Sequence, residues 1–232
     1  MCVKYLFVVL FSFPVISDCF AQDTVAQRNR LSDSVMEHFF ELKANPGVKE
    51  GLYKVLLHRK ILLATGRYRN GRKIGVWQFF DVVGNLSERY DYDNKQFTFE
   101  APLYANADLS YRFDDSLKKG DRLTRPLKIG GVYLGYVPYL NIFRVPFDTY
   151  DIETDSFLAV IDLLISPMGR LADYKVRLVS SYYQYDRIFS MDINEFSEED
   201  RTFVPATLNG RPVMSRILIK CYVSSNGELD FF

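Results

Sequence analysis

Few side chains in this chain could carry out chemistry. His38 and His58 are the two imidazole bases, and both lie in the N-terminal half beside apolar residues. Carboxylates are plentiful, but Asp114-Asp115 and Glu198-Glu199-Asp200 fall in polar runs that read as solvated loops, not as an acid/base pair. No serine or cysteine nucleophile motif is present, and no glycine loop that would cradle a phosphate. Gly130-Gly131 and Gly135 are spaced as turns. The three cysteines, Cys2, Cys19 and Cys221, have no zinc-site spacing. The expected chemistry is therefore recognition, with no catalytic residue, no cofactor and no metal. Two stretches could supply it. One is an aromatic strip of Tyr68, Trp77 and Phe80, read either as core rings or as an exposed binding surface. The other is the strand-like run 214–223, where Arg216, Leu218, Lys220 and Tyr222 face away from the apolar side.

The elements that must position these residues follow from composition and pattern. Apolar residues make up 48% of the 232 residues and aromatics 16%, enough for a packed core in one large or two small domains. Lysines and arginines number 29, as do aspartates and glutamates, which argues against nucleic acid as a partner. Residues 1–21 have the organisation of a signal peptide: Lys4, an apolar run, then Cys19-Phe20-Ala21 before Gln22. The apolar run is short for a bilayer span, so a periplasmic or exported chain with no stable membrane span after cleavage is expected, with outer-membrane association open. A retained anchor and lipidation at Cys19 are the alternatives. Once the signal is removed Cys221 is the one cysteine left, a small core residue by its strand-like setting.

Residues 22–50 read as a polar leader followed by a first element at 35–42. From 51 to 124 glycines alternate with aromatics: Gly51-x-Tyr53, then Gly66-x-Tyr68-x-Asn70-Gly71-x-x-x-Gly75-x-Trp77-x-x-Phe80-x-x-x-Gly84. Asn70-Gly71 suits a tight hairpin, and the whole reads as an antiparallel β-meander. The pattern resembles the MORN-type repeats of the YwqK-like antitoxin family, which implies a structural or surface-binding role, or an immunity-type one.

Residues 125–232 read as a separate module. The segment 157–165 alternates two apolar faces, 172–178 alternates apolar with charged residues, and 215–223 carries Ile217, Ile219, Cys221 and Val223 on one face. Tyr185, Ile188, Phe189, Ile193 and Phe196 recur at three- and four-residue spacing, which predicts a helix over 182–196. The expectation is an α+β fold: the meander, then a ββαβ domain. Arg125-Pro126-x-x-x-Gly130-Gly131, Pro146, Gly169 and Phe203-x-Pro205-Ala206-x-x-x-Gly210-x-Pro212-Val213 resemble the C-terminal domain of the TonB family, with phenylalanine in place of its tryptophan. That resemblance implies a non-catalytic protein–protein interaction module of the envelope, linked to outer-membrane transport. Its partner would be a protein or peptide, such as an outer-membrane transporter, pairing with the edge of 214–223. Arg216 and Lys220 could equally guard that edge against aggregation. The signal peptide and the missing Pro-rich spacer set the chain apart from an energy transducer.

Overall fold

The computed structural model describes residues 23–102, 108–113, 117–148 and 152–231, so the expected signal peptide and Asp114-Asp115 lie outside the described residues. A seven-stranded antiparallel meander comes first: β1 (Thr24–Arg30), β2 (Val35–Leu42), β3 (Asn45–Leu57), β4 (Ile61–Arg69), β5 (Arg72–Phe80), β6 (Leu86–Asp91) and β7 (Gln96–Glu100), each beside the next. It begins well before residue 51, because the stretch read as a polar leader pairs along its length with β2. The β4–β5 hairpin turns at Asn70 and Gly71, with φ of 49° and 76°, the two left-handed positions of a tight two-residue turn.

The second sheet contains β8 (Leu109–Phe113), β9 (Leu158–Ile165), β10 (Leu171–Ser180), β11 (Tyr185–Ser190), β14 (Ser215–Val223) and β15 (Leu229–Phe231); β12 (Thr207–Leu208) and β13 (Arg211–Pro212) form a separate two-stranded sheet. Its order is β11-β10-β9-β14-β15, with β8 also on β14. Alternate residues of β9, β10 and β14 are buried: Ala159, Ile161, Leu163 and Ile165; Tyr174, Val176 and Leu178; Ile217, Ile219, Cys221 and Val223.

The α+β expectation is overturned. Residues 182–196 contain no helix; they form a turn, β11 and a single 3₁₀ turn at Ile193–Glu195. Tyr185 and Phe189 are half-buried while Ile188 is 62% exposed, the alternation of a strand. The one α-helix among the described residues, α1 (Val137–Ile142), lies where none was expected. With no α-helix between β10 and β14, the ββαβ order is absent, and both large sheets are antiparallel.

The segment 125–142 fills the space between the sheets. Toward the meander, Gly131 comes so near Phe79 that a Cβ there would stand 2.8 Å from the phenylalanine Cβ. Toward the second sheet, the Tyr133 ring lies 4.1 Å from that of Phe231, and Tyr174 donates its hydroxyl to the Tyr139 carbonyl at 2.5 Å. A second joint is polar. Asp230, 1% exposed, accepts from the Ser34 hydroxyl at 2.7 Å, from the Ser32 hydroxyl at 3.2 Å and from the Ser34 backbone N–H at 3.2 Å.

Candidate functional site

The edge expected at 214–223 does not exist. On one side of β14, residues 215–222 pair with β9; on the other, Ser215–Ile219 pair with β8 and Cys221–Val223 with β15. Arg216, Leu218, Lys220 and Tyr222 are on one face of this central strand, and Arg216 binds both carboxylate oxygens of Asp162 at 3.0 Å. No ladder position on this strand is left for an added peptide.

The aromatic strip is only partly assembled as expected. Tyr68 and Trp77 meet, with centroids 5.2 Å apart and planes nearly perpendicular, but Phe80 does not join them. Its place is taken by Phe79, two residues from Trp77 and hence on the same face, with centroids 6.2 Å apart. Tyr53 and Tyr92 complete the row, at 5.1 and 5.5 Å from Trp77. The expected Gly-x-Tyr pattern explains part of this geometry. Gly51 stands opposite Tyr68 and Gly66 opposite Tyr53 in the β3–β4 ladder, so each tyrosine faces a glycine. Trp77 is 1% exposed and donates its indole N–H to the Arg67 carbonyl at 3.3 Å.

This row floors a cavity of about 360 Å³ between the meander, the segment 128–141 and the turn at 199–200. That volume is in the range of small-molecule sites. From the meander comes Lys73, on β5 directly opposite Tyr68. Its ammonium lies 2.5 Å from a carboxylate oxygen of Glu199, 5.4 Å from the Trp77 centroid and 5.3 Å from that of Tyr92. The Tyr92 hydroxyl donates to the same Glu199 oxygen at 3.4 Å. Burial pushes the Glu199 carboxyl up, but Lys73, Lys128 and the Tyr92 hydroxyl outweigh it and hold it below the ordinary value. From the second half comes Lys128, whose side chain is 2% exposed. It donates to the Glu199 carbonyl at 2.5 Å and lies 3.9 Å from Asp200. Its burial lowers the ammonium to about 8, against the pull of Asp200 and Glu199.

Beside this cavity, Glu88 is 5% exposed and accepts the Gly130 N–H at 3.1 Å. Desolvation drives its carboxyl up to about 7, partly offset by the N–H groups of Gly130 and Gly131. Gly130 has a φ of 127°, and a Cβ there would strike Gly135. The paired glycines thus let the backbone turn into this carboxylate.

Several of these groups escaped sequence reasoning. Glu198, Glu199 and Asp200 sit in a run read as solvated; Glu198 pairs with Arg170 at the surface, while Glu199, though half-exposed, and Asp200 also line the cavity. Lys73 was legible in principle, since it shares the alternation of 73, 75, 77 and 79. His38 and His58 do not line the cavity, and His58 occupies an exposed turn at φ 47°. Cys221 is buried, which raises its thiol well above the ordinary range. Among the described residues no cluster of three or more histidine, cysteine or carboxylate groups is placed to hold a metal, and no helix is long and apolar enough to cross a membrane. No family model, curated protein or solved structure matches this chain.

Proposed function

We propose that this chain is an exported, non-catalytic binding module of the cell envelope, and that its partner enters the cleft between the meander and the segment 128–141. The observation that carries this reading is the Lys73–Glu199 bridge, in which residues 126 apart in sequence close one cavity from opposite walls. A cavity walled by the meander, the segment 128–141 and the turn at 199–200, floored by aromatic rings and holding a few convergent charges, has the usual form of a ligand site. An outer-membrane transporter as partner loses its structural argument, since β14 has no open edge.

The test is a thermal-shift and native mass-spectrometry screen of envelope metabolites and peptides against the protein and against Asn141→Phe. Asn141 lines the cleft and donates to the Leu31 carbonyl at 2.8 Å, so the larger ring obstructs the cavity. Ligands that stabilise the parent and not the variant are expected. Equal stabilisation of both would move the site elsewhere.

One observation favours a second reading. β11 is the outermost strand of its sheet and pairs with β10 alone among the described strands, while Ile188 stands 62% exposed. A peptide could add to this edge by backbone pairing. Ile188→Lys would then weaken peptide binding without disturbing ligands of the cleft.

A further inference from the structure

The Lys73 ammonium rests over two ring faces with a carboxylate closing the third side. An ammonium within about 6 Å of aromatic centroids is attracted by their quadrupoles, more strongly where water is thinned out. The pattern recurs on the same face of the meander. Lys49 lies 4.4 Å from the Phe39 centroid and 4.9 Å from that of Tyr53, and its ammonium binds Glu37 at 2.7 Å. That second cage shares Tyr53 with the cavity, but neither Lys49 nor Glu37 lines it, and its carboxylate is only 6% exposed. The cage at Lys73 opens directly onto the 360 Å³ space.

Lys73 is also suited to leave. It follows the Asn70-Gly71 turn at the start of β5, its side chain is 26% exposed, and its flexible stem can carry the ammonium into water. The charged side chains lining the cavity are two lysines and two carboxylates. Withdrawal of Lys73 therefore leaves Trp77, Tyr92 and an excess of negative charge from Glu199 and Asp200. A site in that state attracts cations.

We propose that the cleft binds an organic ammonium ion, whose cationic head displaces Lys73 from Trp77, Tyr92 and Glu199. The inference rests on the reading of the cleft as a ligand site and adds the ligand's chemical class. Lys73 acts as a resident competitor, so a ligand's apparent affinity is reduced by the fraction of time the lysine occupies the cage. The ammonium could belong to a small quaternary amine or to a lysyl side chain of a peptide.

Trp77 is the one tryptophan of the chain, so its fluorescence reports on the cage. The experiment titrates choline, tetramethylammonium and a lysyl peptide amide at constant ionic strength, with 3,3-dimethylbutanol as neutral isostere and acetate as anion. Parent, Lys73→Met, Glu199→Gln and Asn141→Phe are compared, each first shown to be folded by thermal melting. Expected are saturable quenching by at least one ammonium and no response to the isostere. Lys73→Met should tighten binding by about tenfold or more, and Glu199→Gln should weaken it by a similar factor. Choline outranking the lysyl peptide identifies a small amine, and the reverse a peptide. Equal binding of the neutral isostere, or no tightening in Lys73→Met, overturns the proposal. If neutral or anionic compounds quench Trp77, and Asn141→Phe abolishes this, while ammoniums have no effect, the ligand class falls and the cleft reading stands. If no compound of any charge moves the signal in parent or Lys73→Met, both fall.

Discussion

The indole of Trp77 lies directly on the backbone of Gly66, so close that a Cβ at position 66 would stand 2.2 Å from the ring carbon Cδ2. The glycine is kept here for proximity and not for an unusual φ, and its neighbours Thr65 and Arg67 bracket a shift in the β4–β5 register. Gly66→Ala must displace a ring that is 1% exposed and holds the aromatic row together. A loss of about 2–3 kcal/mol is expected from overpacking. Denaturant melts measure it, and a red shift of the Trp77 emission in the folded variant shows that the indole has moved.

Leu218 stands between Asp162 of β9 and Ser110 of β8, inside a sheet paired on both sides. Leu218→Pro removes a backbone donor and places a ring where a neighbouring strand lies. The expected cost is about 3 kcal/mol or more, a large share of the 5–15 kcal/mol typical of a domain. Circular dichroism should show loss of the second sheet, where a free edge would leave the fold intact.

Glu88 gives a prediction with a definite pH direction. Its carboxyl titrates at about 7 in the folded protein against an ordinary 4.5. Between those values the folded state holds a proton that the unfolded state has released, so this residue's contribution to stability falls as pH rises and levels off above about 7. Glu88→Gln has no proton to lose. Its stability should gain on the parent by up to roughly 3 kcal/mol across that window and by no more beyond it. Urea melts at a series of pH values give the difference; a constant difference would contradict the assignment.

Asp230 ties β15 to the turn before β2, and every bond it makes to Ser32 and Ser34 joins the two halves of the chain. Asp230→Ala leaves those donors unpaired in a buried place. A loss of about 3 kcal/mol follows for breaking such a charged hydrogen-bond group. Hydrogen exchange should show faster opening at residues 32–35 and 229–231 before the rest of the molecule.

The strands were legible wherever burial imposed a period of two. The alternations at 157–165, 172–178 and 215–223 became β9, β10 and β14 because each has one face on the core. The same logic failed at 182–196. Tyr185 and Phe189 belong to a strand, Ile193 to the 3₁₀ turn beyond it and Phe196 to the extended residue that follows, and together they mimic the spacing of one helix face. Local spacing cannot tell one continuous stripe from two short ones that the chain brings together. The position of β14 was hidden for a related reason. Nothing in its own residues records that β8 and β9, far earlier in the chain, will flank it on both sides. The site was least legible of all, because its carboxylate and its ammonium come from opposite halves of the sequence.

The middle of the second sheet is its late strand. β8, β9, β10 and β11 all precede β14 in the chain, yet β8 and β9 meet only through it. A growing polypeptide that has reached Ser190 holds the outer part of this sheet with its seam unfilled, and every contact across the seam spans a long loop. Such non-local closure is slow. Closure of the second sheet therefore waits for β14, the strand that joins β8 to β9.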